Sequence, residues 1–311
     1  MARAQGARAQ LAAAFESIYG TAPASGYARL PFASANLSMA QTLLDNELLG
    51  FGRDPLAPEL DTEDTDGDIV VPVDVEAFGL WLKATLGAPV TSGAGPYTHV
   101  YTSGGWTLPS LSIETGLPEV PHFAMAKGVK VDRLALSMQR KGHLQATASL
   151  IAQGEAVASS TQAGTPVPYA LSRFVQRHGS ITRGGAALGE VVSADLTYAN
   201  NLDRIETIRA DAKIDGLDPS MAMLSGRITV RFSSQTLLTQ ATDGDPAAFT
   251  FRFTKGGESL TLAVPQLYLP KPKVAVEGPQ GIQVTFDWQA AQDTDGDPML
   301  TATLVNAVES Y

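Results

Sequence analysis

A run of short motifs along this 311-residue chain is written twice, and any fold that satisfies one copy must satisfy the other. In the first copy Gly67-Asp-Ile-Val-Val71 leads into a helical stretch that stops at Gly87-Ala-Pro89. In the second, Gly226-Arg-Ile-Thr-Val230 leads into a helical stretch that stops at Gly244-Asp-Pro246. Downstream, His99-Val-Tyr-Thr-Ser-Gly-Gly-Trp-Thr-Leu108 matches Phe251-Arg-Phe-Thr-Lys-Gly-Gly-Glu-Ser-Leu260, and each reads as a hairpin turning on a Gly-Gly pair. A closing strand follows in both, at 142–150 and 281–289. The agreement in order predicts two related β units, 26–153 and 190–311. An N-terminal arm at 1–25 precedes them, and a linker or arm at 154–189, rich in Ala, Ser, Thr, Gly and Pro, joins them.

Strands are predicted at 69–73, 107–113, 129–138, 144–151, 227–232, 249–253, 260–264 and 282–288. Each is short, rich in β-branched or aromatic residues, and bounded by Gly, Pro or Asp. Two helices interrupt them. In 75–86, Val75, Phe78, Leu82 and Leu86 fall at helical spacing, with Asp74 as cap and Gly87 as stop; the other runs from Ser233 through Leu237, Leu238 and Ala241 to Asp243-Gly244. The fold class is mainly β (α+β), each unit carrying a flanking helix.

The absence of cysteine excludes disulfides, thiolate metal sites and cysteine nucleophiles. No secretory leader or membrane-length apolar run is legible, so a protein made inside the cell is expected. The net charge of −10 argues against a surface that grips nucleic acid. Nine acids and one base, Arg53, lie between Asp45 and Asp68, so this stretch holds −8 of the total and the rest of the chain is nearly neutral.

Signs of catalysis are wanting. His99, His122, His143 and His178 are scattered without a second ligand at metal-binding spacing, and read as surface or satisfied core histidines. No nucleophile elbow, phosphate loop or dinucleotide fingerprint occurs, and no cofactor is implied. The stretch Asp61-Thr-Glu-Asp-Thr-Asp-Gly-Asp68 imitates part of a calcium loop, and Asp243-Gly-Asp245 and Asp295-Gly-Asp297 repeat its last triplet. However, an EF-hand alignment puts Thr62 at its first position and Val73 where the bidentate carboxylate belongs. Phe78, Trp81, Trp106, Trp288 and Met138 read as core or interface packing.

Several runs resemble the phage tail tube protein family. They are Leu48-Leu-Gly-Phe-Gly-Arg-Asp-Pro55, the acidic stretch, Asp68-Ile-Val-Val-Pro-Val-Asp74, 79–89, Tyr97-Thr-His-Val-Tyr-Thr-Ser-Gly-Gly105, Leu108-Pro-Ser-Leu-Ser-Ile-Glu114 and Leu150-Ile-Ala-Gln-Gly-Glu155, continuing through Asn200-Asn-Leu202, 226–232 and 249–265. The resemblance implies the major tail protein of a long, non-contractile-tailed bacteriophage (a siphovirus). Its β-sandwich units would lend strands to a β-barrel closed between subunits, in rings stacked head to tail as a conduit for DNA ejection. With two units per chain, a trimer with pseudo-six-fold symmetry is favoured over a hexamer.

Tape-measure, tail terminator and tail-tip proteins are the other partners implied. DNA would pass through the lumen without specific binding, and assembly would take place in the host cytoplasm. Glu59, Asp61, Glu63, Asp64, Asp66 and Asp68 are candidates for an acidic loop that lines the lumen or, the favoured role, meets Arg133, Arg140 or Lys141 on the next ring. The alternative reading is a β-sandwich binding or adhesion module, for which the sequence lacks an aromatic platform.

Overall fold

Alternation decides where this chain is strand. In Gln145–Ala152 the residues Ala146, Ala148, Leu150 and Ala152 are buried and those between them are exposed or half-buried, the two-residue period of a sheet with one wet face. The same period recurs along much of the chain. The computed structural model describes residues 3–276, 278–294 and 296–311 and is mainly β, with two α-helices among the described residues.

The first half contains β1 (Gln10–Phe15), β2 (Ala28–Arg29), β3 (Ser34–Ala35), β4 (Ser38–Leu44), β5 (Glu59–Pro72), α1 (Phe78–Leu86), β6 (Val90–Ser92), β7 (Tyr97–Thr102), β8 (Leu111–Leu117), β9 (His122–Gln139), β10 (Gln145–Ala152) and β11 (Gly154–Ala158). After β12 (Val167–Pro168) come β13 (Gly179–Arg183), β14 (Ala186–Ala187), β15 (Val191–Ala199), β16 (Asp203–Ile205), β17 (Gly216–Asp218), β18 (Met223–Arg231), α2 (Thr236–Asp243), β19 (Ala247–Lys255), β20 (Glu258–Tyr268), β21 (Gln283–Ala291) and β22 (Thr301–Asn306).

Strand pairing repeats between the halves. The hairpin β8–β9 is flanked by β1 on β8 and β11 on β9; the hairpin β19–β20 is flanked by β13 on β19 and β22 on β20. Each long strand then changes partners, β9 to pair β10 and β20 to pair β21. In β9 the change falls at Gly128, whose φ of 63° suits glycine and where a Cβ would sit 2.9 Å from both Gln153 and the Tyr19 ring. Finally β10 pairs β5, the strand before α1, as β21 pairs β18, the strand before α2.

This pattern corrects one sequence match. Gly256-Gly257 does form the two-residue turn of β19–β20, with Lys255 opposite Glu258. Gly104-Gly105 turns no hairpin, because β7 pairs β6 and β22 while β8 pairs β1 and β9. The structural counterpart of β19–β20 is β8–β9, and β6–β7 is an addition to the first half. The strand expected at 107–113 accordingly begins later, at Leu111.

Other boundaries move for local reasons. Helix α1 starts at Phe78 rather than Val75, since Val75 is held in sheet-like contact by Ser172 O and by Asn306 Nδ2 on its own carbonyl. Asp74 Oδ1 accepts the N–H groups of Glu76 and Ala77 at 2.8 and 2.6 Å, closing a turn ahead of the helix. Within the expected N-terminal arm, Leu11, Ala12, Ala13 and Ala14 of β1 are buried against β8.

The halves share one core. Ile69 and Val71 of β5, Leu134 and Leu136 of β9, Phe249 and Phe251 of β19, and Phe286 and Trp288 of β21 belong to a single buried cluster. Phe251 stacks on Trp288 with ring centres 6.1 Å apart. Two seams join the halves directly, β9 with β15 and β7 with β22.

Candidate assembly surfaces

The pairings β5–β10–β9–β15–β18–β21 build one antiparallel sheet from both halves, and its register fixes which side chains share a face. One row across it reads Val71, Ala146, Leu136, Leu196, Gly226 and Trp288 and faces the core. The adjacent rows face solvent: Gln145, Ser137, Asp195, Arg227 and Asp287, then Val70, Thr147, Ala135, Thr197, Ser225 and Gln289. This wet face is made mostly of short, uncharged polar side chains.

Its charges nearly balance, with Asp64, Asp66, Asp68, Asp195 and Asp287 against Lys130, Arg133, Arg227 and Arg231 and with Arg204 bound to Asp64 and Asp66. Arg227 Nε lies 3.2 Å from Asp287 Oδ1 and opposite Asp195 on the other side. Partial burial pushes the Asp195 carboxyl above its ordinary range, against the pull of Arg227. Thr229 and Thr285 share a hydrogen bond of 2.9 Å across the same face.

The acidic stretch is a strand and not a loop. Residues 59–66 of β5 pair with β4 as a two-stranded ribbon, while 65–72 pair with β10 inside the sheet. Asp is a poor strand former, but Thr65, Ile69 and Val71 supply a buried face that holds the segment extended. The six acids therefore divide by parity: Asp64, Asp66 and Asp68 lie on the wet face of the sheet, and Glu59, Asp61 and Glu63 on the opposite side of the ribbon.

Arg204 on β16, a residue not singled out from sequence, ties this strand down with Nη1 2.8 Å from Asp64 and Nη2 2.6 Å from Asp66. Glu63 N also donates to Ala212 O. No sequence spacing links Arg204 to residues 138 and 140 positions earlier, so only the folded excursion β16–β17 reveals the pair. An extended strand whose Asp64 and Asp66 carboxylates bind a guanidinium is also the wrong geometry for a calcium loop. Asp295 of the last DGD triplet lies outside the described residues.

The three bases considered as partners separate. Arg133 sits on the wet face beside Ser149, in the row of Asp68. Arg140 and Lys141 lie at the turn β9–β10, at the other end of the strands from the ribbon, where Arg231 ends β18. The ribbon end and the basic end are thus the two ends of one sheet. At the ribbon tip Leu48, Leu49 and Phe51 are exposed, Leu49 by 93%.

His99 is buried and satisfied, its Nδ1 2.8 Å from Thr91 Oγ1 and its Nε2 2.8 Å from Val308 O. Phe78, Trp81, Trp288 and Met138 are core residues, whereas Trp106 is 77% exposed. No helix of the described residues is long and apolar enough to cross a membrane.

A wet sheet face shared by both halves, strand β21 paired on its far side only at 289–291, and a projecting ribbon with an apolar tip are surfaces for association. They define a structural β-sandwich subunit. The sequence profile of the family described as phage tail tube protein matches residues 6–290, and the chain belongs to that family. It is a structural, self-assembling tail tube protein of a bacteriophage and a component of the virion tail. No curated protein matches the chain.

Proposed function

We propose that this chain is the major tail protein of a non-contractile tail, assembling in the host cytoplasm as stacked trimeric rings whose lumen conducts DNA during ejection. The observation that carries the proposal is a strand order written twice in one sheet, β3/β4–β5–β10–β9 followed by β15–β18–β21–β20. The seam β9–β15 inside the chain is a template for a seam between chains, in which the β20 edge of one copy meets β3 and β4 of the next. Repetition of that seam closes a barrel, removes the exposed edges and gives three chains six equivalent units.

On this reading the repeated units extend through β1–β11 and β13–β22. The N-terminal region 1–25 and the connecting segment 154–189 serve partly as their flanking strands. The wet face becomes the lumen wall. Its short polar side chains and balanced, interspersed charges offer phosphate no line of cations, so DNA slides without counterion-release binding at each ring. The protein acts by shape and charge and carries out no catalysis. Tape-measure, terminator and tail-tip proteins set the length and ends of a head-to-tail filament that does not close on itself.

In this arrangement Asp66 and Asp68 face the lumen, while Glu59, Asp61 and Glu63, with Asp64 at the boundary, serve the contact with the next ring. Electron microscopy of the concentrated protein tests the proposal: hollow tubes with three chains per ring are expected. Rings of six chains refute the trimer, and a protein that stays unassembled at concentrations where it is offered a tail-tip complex refutes the tube.

A further inference from the structure

At the basic end of the sheet the sandwich is open. A groove of about 610 Å³ lies between β9, β15 and β18 on one side and β13 and β19 on the other. Its floor is apolar, from Met138, Ile181, Leu188 and Phe253, and its charged lining, Arg140 and Arg231 with Glu190, is net basic. At the opposite end, the connection between β4 and β5 exposes Leu48, Leu49 and Phe51, flanked by Asp45, Glu47 and Asp54 and the single base Arg53. The register places the two features at opposite ends of the same strands, with 59 of β5 at one end and 231 of β18 at the other.

We propose that the tip of the β4–β5 ribbon of one copy inserts Leu49 and Phe51 into this groove on the copy stacked against it, with Arg140 and Arg231 meeting the acids that flank the tip. The apolar tip matches the apolar floor, the net acidic flanks match the net basic lining, and opposite placement makes the contact head to tail. Each chain offers one tip and one groove, so every subunit of a ring is used equally. Three strand spacings separate β5 from β15, about 14 Å at ~4.8 Å per spacing, and strand tilt in a closed barrel displaces the tip sideways as it rises. The inference rests on the stacked-ring reading above.

The natural chain has no cysteine, so paired cysteines report the contact cleanly. Tubes of a Phe51→Cys, Leu188→Cys double variant, oxidised and run on a denaturing gel, are expected to give a ladder in multiples of 32.7 kDa that either single variant lacks. Phe51→Cys with Arg140→Cys, which leaves the groove floor intact, is expected to give the same ladder if Leu188→Cys impairs folding. Phe51→Cys with Val90→Cys, on an outer strand, is expected to give none. Tubes that form normally but link only through Val90 overturn the docking and leave the tube reading standing. If the unaltered chain forms no tube with a tail-tip complex, both readings fall together. Independently, Leu49→Ser with Phe51→Ser is expected to raise the concentration needed for tube growth at least tenfold without moving the subunit's Tm, and unchanged growth overturns the docking.

Discussion

Replacing Asp74 by Asn isolates the cost of one buried charge. Asp74 is buried at the start of α1, and its Oδ2 has no partner among the described residues, although a cavity of about 150 Å³ lined by Arg29 and Tyr169 adjoins it. Burial pushes its carboxyl up from the ordinary 3.8 to about 6; the N–H groups of Glu76, Ala77 and Phe78 oppose the rise and the charge of Glu76 adds to it. The folded protein therefore keeps this proton to about pH 6, while the unfolded chain releases it near 3.8. Between those values the folded state holds more protons, so this group's contribution to stability falls as pH rises through the window. Above it, ionisation costs about 3 kcal/mol.

Asparagine keeps an acceptor for the same turn and cannot ionise. The variant is expected to match the natural protein below about pH 4 and to exceed it by up to about 3 kcal/mol, roughly 5 °C in Tm, above pH 7. Urea and thermal unfolding of the unassembled subunit from pH 4 to 8 measure the gap, and taking the difference cancels the other carboxylates. A gap of the same size at every pH refutes the reasoning, because it would mean that Asp74 ionises in the fold without penalty.

Three other perturbations test separate parts of the structure. Gly226→Ala puts a Cβ 2.0 Å from Asp195 O and 2.6 Å from the Trp288 ring, so a loss of about 2–4 kcal/mol is expected in urea unfolding; a neutral result would contradict the packing of β18 between β15 and β21. Glu114→Ala removes the acceptor of Thr161 Oγ1 and of the Gln162 and Ala163 amides, and should lower stability by about 2 kcal/mol and speed proteolytic cleavage within 154–170, read by mass spectrometry of the fragments. Thr197→Cys coupled to a gold cluster should place density inside the channel of assembled tubes, and density on the outer surface would reverse the assignment of the sheet faces.

Most of the core was legible because burial leaves a plain mark: 144–151, 249–253 and 282–288 alternate or run apolar, and each lies within an observed strand or overlaps it to a residue. The stop of α2 at Gly244, with φ of 77°, was equally plain. The acidic strand was hidden because its wet positions are aspartates, which read as a loop, while its inward positions include the buried Thr65 and the half-buried Gly67, which carry little apolar signal. The first Gly-Gly pair misled because local turn chemistry does not say which strand a chain pairs next; that depends on β22, whose sequence lies about 200 residues away. Strand β1 was missed since Ala12, Ala13 and Ala14 are small enough to suit several structures.

The two kinds of surface place different demands on sequence. A lumen wall, the role proposed for the wet face, must lack features, and the wet rows would meet that demand by repeating Ser, Thr and Gln where any short polar residue serves. A stacking contact must be specific, and its elements occur once per chain: the β4–β5 ribbon has only the shorter β16–β17 excursion as its counterpart in the second half. In the proposed ring, duplication would supply the barrel with equivalent strands, while the difference between the halves would supply direction. The longer ribbon marks one end of the sheet and the basic groove the other, so a ring built from this chain has two unlike faces. On the proposed stacking a filament of such rings would grow with a fixed polarity, and inversion of a ring would set acidic ribbons against each other. At contact distances that repulsion acts within a Debye length of about 8 Å, so ring orientation is selected most strongly at low salt.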